Sequence, residues 1–470
     1  MSQLAGIDTA IWYLDSKNQP LHISALVKVA PYPKGDLDGQ SILEHLRLAA
    51  SSSAMLHLTV VDSPIPLSMP YWSKVGELDF DQHLFIYDLR SLGGSSQIRS
   101  MIGEILAEPL RRDIPPWEIH VFDLGDEVQI LSKIHHALLD GAGGLSLLFS
   151  FMDQEGSETL SLQSFNGRNK DTTSESGSKP NLLRALLDLP QEAVARLESA
   201  SAFQDTLSQL VAAVAGGKEG SLPEVLNFGA PKLPFSGALR STRDAYAFSV
   251  ETSRLRKVAR YSQATLNDVV LAVTSLALER YLESVYAYEI VSSPVVLMPI
   301  STRRGGNISA HNQVAGQLVA LPYGRESLSE TILAVKEEAG RAKRLHSRFG
   351  PKMLESFASS IASPLLSPFM RVVGEARVFD RLDPVFNLIV SNVSGTTDEL
   401  YLEGNLVESV VPFGPLAEGA PLNITFLSYL DLTHFGVTSC PDLVKDPDLL
   451  GEMFCEVLGN FHDEYLGKSD

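Results

Sequence analysis

From Val128 to Ile134 the chain alternates, with Val128, Ile130, Ser132 and Ile134 on one side and Gln129, Leu131 and Lys133 on the other. A period of two predicts a half-buried strand. The run ends in His135-His136-Ala137-Leu138-Leu139-Asp140-Gly141, and Gly143-Gly144 followed by Leu145, Leu147, Leu148 and Phe149 predicts the start of a buried helix. Successive strand side chains point to opposite faces, so His135 and His136 cannot both serve one site while the strand continues. His136 continues the apolar side; one imidazole is expected to do chemistry and the other to support it. Further on, Tyr246 to Val250 reads as a strand and Asn267 to Tyr281 as an apolar helix. Strands alternate with helices in both halves, without a short-period repeat, which predicts an α/β class.

At 470 residues the chain exceeds one ordinary core and predicts two domains, 1–155 and 235–470. Between them, 156–234 reads as a connector. Its first part, through Ser178-Lys179-Pro180, is Ser, Thr, Gly, Asn and charge with little to bury, and Leu182 to Ala215 carries leucines and valines at helical spacing. The net charge of −19 disfavours nucleic-acid binding and leaves small molecules or lipids as expected partners. Two cysteines, Cys440 and Cys455, are too few for a disulfide framework. The N-terminus lacks a basic region before an apolar core, and no apolar run reaches spanning length. A cytoplasmic setting with only peripheral membrane contact is therefore expected.

A neutral imidazole, with an ordinary pKa of about 6.5, is a competent base near neutral pH and can take a hydroxyl or thiol proton as that group attacks a carbonyl. The string around His136 thus reads as an acyl-transfer site. A core histidine with a satisfied hydrogen bond is the alternative; a metal site is disfavoured, because adjacent strand histidines diverge and no third ligand stands nearby. Asn267 and Asp268 precede the second helix, where such residues commonly cap the N-terminus. Trp117 and Glu118 read as closing one edge of the first domain, and also as bordering a lipid channel. Arg341, Lys343, Arg344, Arg348 and Lys352, followed by the apolar stretch Met353 to Val373, suit either a solvated helix face, an anionic lipid interface or a tunnel cover.

His135 to Gly141 resembles the His-His-x-x-x-Asp-Gly motif of CoA-dependent acyltransferases, and further blocks resemble one family among them, the bacterial wax ester synthase/acyl-CoA:diacylglycerol acyltransferases. These are Gln19 to Ile23, Leu78 to Leu84, Pro109 to Glu118 (with Pro116 where leucine is usual), Thr265 to Ala272, Pro299 to Arg303, Ser391 to Gly395 (with Ser394 in place of proline) and Leu422 to Tyr429. They follow the family order across nearly the whole chain. The resemblance implies two chloramphenicol-acetyltransferase-like sandwich domains joined by the helical linker, with the active site between them. It implies His136 as general base and Asn267 as an amide donor to the developing oxyanion, supported by His135, Asp140, Gly141 and Asp268. Trp117, Arg303, Ser391 and Asn392 would contact substrate; Asp140 would turn away from substrate to pair with an arginine, Arg303 by analogy. Acyl-CoA would be a substrate, with no cofactor and no metal, and the acceptor a diacylglycerol or long-chain alcohol at a membrane or lipid-droplet surface. A carrier-protein-dependent condensation enzyme and a non-catalytic lipid-binding member of the fold are the competing expectations.

Overall fold

Alternating and β-branched segments build two mixed sheets in the computed structural model, which describes residues 2–4, 6–31, 37–62, 69–91, 95–154, 229–301, 314–343, 377, 380 and 383–461. The first sheet has seven strands in the order β5 (Leu84–Asp88), β6 (Trp117–Asp123), β7 (Val128–His135), β2 (His22–Ala30), β14 (Asn405–Phe413), β13 (Leu400–Leu402) and β8 (Asp153–Gln154). The second has six: β11 (Val314–Ala320), β10 (Val295–Ser301), β12 (Leu388–Asn392), β15 (Leu422–Tyr429), β16 (Leu432–Ser439) and β9 (Asp244–Glu251). A small third sheet joins β1 (Ser2–Gln3), β4 (Tyr71–Lys74) and β3 (Leu58–Val61).

The sheets do not divide where the chain was expected to divide. β13 and β14 belong to the C-terminal half yet pair into the first sheet, β14 lying antiparallel to β2 and β13 to β8. They form a hairpin whose turn residues Glu403 and Gly404 both have positive φ, 50° and 73°, the geometry that matches strand twist in a tight turn. The first sheet is therefore completed only when the second half of the chain is present. Residues 156–228 of the expected connector lie outside the described residues; at its far end the Ala230 amide donates to the Pro384 carbonyl and Asn387 to the Pro231 carbonyl, tying it to the second half.

After α1 (Gly6–Leu14), which carries Trp12, helices α2 (Gly39–Ser52) and α4 (Gly141–Phe149) cover one face of the first sheet, where Ile42, Leu46, Leu145 and Leu148 pack with Val27, Ile130 and Ile134. On the opposite face α3 (Ser95–Ala107) places Ile98, Ile102 and Leu106 against Phe122, Leu131 and Phe413. Both faces of β7 are consequently buried, which corrects the half-buried strand expected from its alternation: Lys133, on the polar side, is 1% exposed. In the second half, α5 (Thr252–Tyr261), α6 (Leu266–Tyr286) and α7 (Asp448–Phe461) cover the second sheet, α6 burying Val269 to Val273, Leu278 and Leu282 in a fully apolar core. Val269 to Ser275 are buried without a break, so the first turns of α6 are enclosed on every side, while Arg280, Glu283 and Ser284 further along are exposed. Among the described residues no helix is long and apolar enough to cross a membrane.

The two sheets meet along a tight seam. A Cβ on Gly436 of β16 would lie 1.9 Å from the Pro412 carbonyl oxygen of β14, so only glycine permits that approach. The buried Tyr429 hydroxyl, on β15, donates to the Val407 carbonyl at 2.9 Å and accepts from the Leu400 amide at 3.1 Å. Arg99 of α3 grips Asp244 with two hydrogen bonds, 2.8 and 2.6 Å, and Asp448 with a third at 2.6 Å. A fork-to-carboxylate bond of this form fixes orientation as well as distance.

Candidate active site

β7 stops at His135, and His136 enters a turn rather than continuing the strand. The two rings therefore separate, as the strand geometry requires. His135 is 1% exposed and directly faces His22 across the β2–β7 pairing, whereas His136 is half-buried. The peptide of His136 is held on each side: its own amide donates to the Leu21 carbonyl at 2.9 Å, the Leu138 amide donates to the His135 carbonyl at 2.9 Å, and the Ala137 amide donates to the His135 Nδ1 at 3.1 Å. An imidazole nitrogen that accepts from a backbone N–H has no proton of its own, so neutral His135 carries its proton on Nε2.

That Nε2 points toward Asp15. The separation to Asp15 Oδ1 is 3.9 Å, too long for a hydrogen bond but close enough for the carboxylate to face the Nε2–H. His135 also lies against the Trp12 ring at 4.8 Å. Burial alone would raise the Asp15 carboxyl, yet His135, the Leu21 amide and Arg112 together hold it below the ordinary carboxylate range. Asp15 and Arg112 were not among the residues expected at the site.

Asp140 is 2% exposed and caps α4, its carboxylate accepting from the Gly143 amide at 2.8 Å. Arg303, its expected partner, lies outside the described residues. Gly141 opens α4, and a Cβ there would come to 3.4 Å of Val393 Cγ2, so the motif's glycine abuts the residue just past β12. One residue earlier, Asn392 donates from Nδ2 to Asn267 Oδ1 at 2.7 Å. The end of β12 thus links the histidine turn to the start of α6. Asn267 is half-buried and Asn392 exposed, which leaves both amides open to a ligand, while Ser391 stays within β12 opposite Thr425.

Two expected site residues prove to have structural roles. Asp268 completes a capping box: its carboxylate accepts from the Thr265 amide at 2.9 Å and its amide donates to Thr265 Oγ1 at 3.2 Å. Trp117 is 1% exposed, donates from Nε1 to the Leu56 carbonyl at 2.8 Å and stacks on His83 at 4.2 Å. It packs in the first core, in line with its reading as closing one edge of the first domain, and its indole N–H is engaged by Leu56. Of the basic cluster, Arg341 is exposed and paired with Glu338 at 3.1 Å; Arg344, Arg348, Lys352 and the stretch Met353 to Val373 lie outside the described residues.

The face that carries His135 also carries a buried polar chain. Lys133 donates to Glu118 Oε2 at 3.2 Å, the same oxygen lies 3.4 Å from His120 Nε2, and His120 Nδ1 lies 3.2 Å from the Tyr87 hydroxyl. Burial would raise Glu118, but His120 and Lys133 outweigh it and hold the carboxyl low. His22 is pushed well below the ordinary histidine range by burial first, then by Lys133, His135 and Arg243, and is neutral. The i, i+2 spacing of Lys133 and His135 places them on one face and was the available signal for this chain.

Residues 4–270 match the wax ester synthase/diacylglycerol acyltransferase catalytic domain, and residues 310–461 match the C-terminal domain of the same family. A Mycobacterium tuberculosis protein named as a diacylglycerol O-acyltransferase is 28% identical over 96% of this chain and 88% of its own length. The O-acyltransferase WSD of Acinetobacter baylyi is 24% identical over 94% of the chain and 92% of its own. Among solved structures, the wax ester synthase/diacylglycerol acyltransferase of Marinobacter aquaeolei VT8 superposes with a TM-score of 0.70 at 18% identity, over 98% of this chain and 99% of that one. The first condensation domain of the CDA synthetase shares the fold at a TM-score of 0.57 and 15% identity, over 98% of this chain and 96% of that one. With the histidine turn, the α6 start and the β12 end all inside the matched architecture, the chain belongs to the wax ester synthase/diacylglycerol acyltransferase family.

Proposed function

We propose that this O-acyltransferase moves a long-chain acyl group from acyl-CoA to the hydroxyl of a diacylglycerol or long-chain alcohol, with His136 as general base. The observation that carries this reading is the meeting of three separate sequence blocks: the His136 turn, Asn267 and the Asn392-Val393 strand end. His136 takes the hydroxyl proton as the oxygen attacks the thioester carbonyl; the C–S bond then breaks, and the imidazolium returns the proton to the departing CoA sulfur. No acyl-enzyme is required. Asn392 turns the Asn267 amide by occupying its oxygen, leaving the Asn267 Nδ2 as the donor for the developing oxyanion. A long acyl chain contributes affinity at about 0.8 kcal/mol per buried methylene, without polar specificity.

The test is CoA release measured over a panel of long-chain alcohols and diacylglycerols, with a carrier-protein thioester offered as the competing donor. Release from acyl-CoA that depends on a lipid hydroxyl supports the reading; release only from the carrier-protein thioester favours a condensation-type enzyme. No acyl transfer from either donor favours a lipid-binding member of the fold. We further propose peripheral association with a membrane or lipid droplet, which vesicle flotation tests directly.

A further inference from the structure

We infer that Asp15 is a positioning residue for His136, acting on the backbone at both sides of that residue while Arg112 holds it in place. This rests on the reading of His136 as the base. Asp15 Oδ1 accepts the Leu21 amide at 2.7 Å, and the carbonyl of the same residue accepts the His136 amide at 2.9 Å. That is the first route. The second runs from Asp15 Oδ1 to the protonated Nε2 of His135 at 3.9 Å, across the ring to Nδ1, and from there to the Ala137 amide at 3.1 Å. The Leu21 carbonyl and the His135 ring thus hold the peptides on either side of His136, and one carboxylate lies behind both.

The carboxylate itself has little freedom. Asp15 is 6% exposed, and Arg112 Nη2 reaches Asp15 Oδ2 at 3.1 Å, the Asp15 carbonyl at 3.0 Å and the Trp12 carbonyl at 2.5 Å. The guanidinium also lies over the Trp12 ring at 4.7 Å, and that ring in turn packs on His135. Asp15, Arg112, Trp12 and His135 therefore form a closed set, in which the guanidinium and the imidazole each contact both the carboxylate and the indole. Asp15 touches neither the hydroxyl nor the thioester in this scheme; it sets where the base stands.

The experiment compares kcat and KM for acyl-CoA in wild type, Asp15→Ala, Asp15→Asn and, as the control for the underlying reading, His136→Ala. Displacing a catalytic group by about an ångström costs on the order of 100-fold in rate, so Asp15→Ala is expected to lose about that much kcat at unchanged KM. Asp15→Asn keeps an oxygen for the Leu21 amide but loses the charge facing His135, and is expected to recover to within about 10-fold of wild type. The graded order in kcat at constant KM is what a general loss of fold does not produce. Should Asp15→Ala fail to fold, Asp15→Asn decides alone. Wild-type kcat in Asp15→Asn, or a loss carried by KM instead, overturns the inference. If His136→Ala is inactive while a folded Asp15→Ala is fully active, the positioning role fails and the base survives; if His136→Ala keeps the wild-type rate, the base fails first.

Discussion

The two strand ends that meet at the site are held in opposite ways. β7 ends in a buried polar setting, where Lys133, Glu118, His22, His135 and Asp15 crowd one side of the sheet and every backbone amide from His135 to Leu138 has an acceptor or sits beside one. β12 ends at the surface, and its Asn392 is exposed and tied to the rest of the site by one amide-to-amide hydrogen bond. A base must be held in one place if the proton is to leave at the moment of attack, and burial with several fixed partners achieves that at a cost in stability. An amide that receives a charge appearing only in the transition state needs a direction, and a single neighbour supplies it. On the proposed mechanism, the difference assigns rigidity to the base and adjustability to the side that would admit a bulky lipid.

The largest stability effect is expected at the buried end. Lys133→Met leaves Glu118 without its cation in a buried setting and should cost about 3 kcal/mol in urea unfolding. A loss below about 1 kcal/mol would remove the distinction between the two ends. Next comes acid sensitivity. Burial takes His434, bonded to Ser249 in the second sheet, down to about 4, and holds His22 neutral in the first. Folded-state values below the unfolded one mean that, as pH falls through about 6.5, the unfolded chain takes up protons the fold refuses, and stability is lost. For His434 the loss at pH 5 is about 2 kcal/mol. Melting temperature recorded from about pH 7.5 to pH 5 should decline, with a flatter slope in His434→Gln.

At the exposed end the expected signature is reversed. Asn392→Ala should lower kcat about 10-fold by freeing the Asn267 amide, with the melting temperature unchanged. A matching fall in melting temperature would make this end as structural as the other. The smallest effect is expected of Thr265→Ala, which removes half of the capping box at α6 and should cost about 1 kcal/mol of stability while leaving kcat alone.

Much of this arrangement was legible in the chain. Alternation placed β7, the glycines after Asp140 placed α4, and the apolar run after Asp268 placed α6, because each depends on local spacing. The sheet partners were not legible: β14 returns from the C-terminal half to lie beside β2, and nothing in its own residues says so. The same limit explains the misjudged residues. The burial of Trp117 was not legible, because its position opposite Ile134 and its bond to Leu56 are set by other segments. Asp15 was passed over because it lies six residues before Leu21 on no periodic face, and its importance comes only from the fold that brings His135 to it. Lys133 was read as solvent-facing, since alternation distinguishes two faces but not whether the second is covered.

The most direct measurement is CoA release in a single turnover of acyl-CoA with a long-chain alcohol, for wild type and His136→Ala side by side, with urea unfolding to show that both are folded. Loss of the base should slow release by about 10²–10⁴-fold at unchanged stability. Release by a folded His136→Ala within a few-fold of wild type would contradict the account, and would move the chemistry away from the turn at the end of β7.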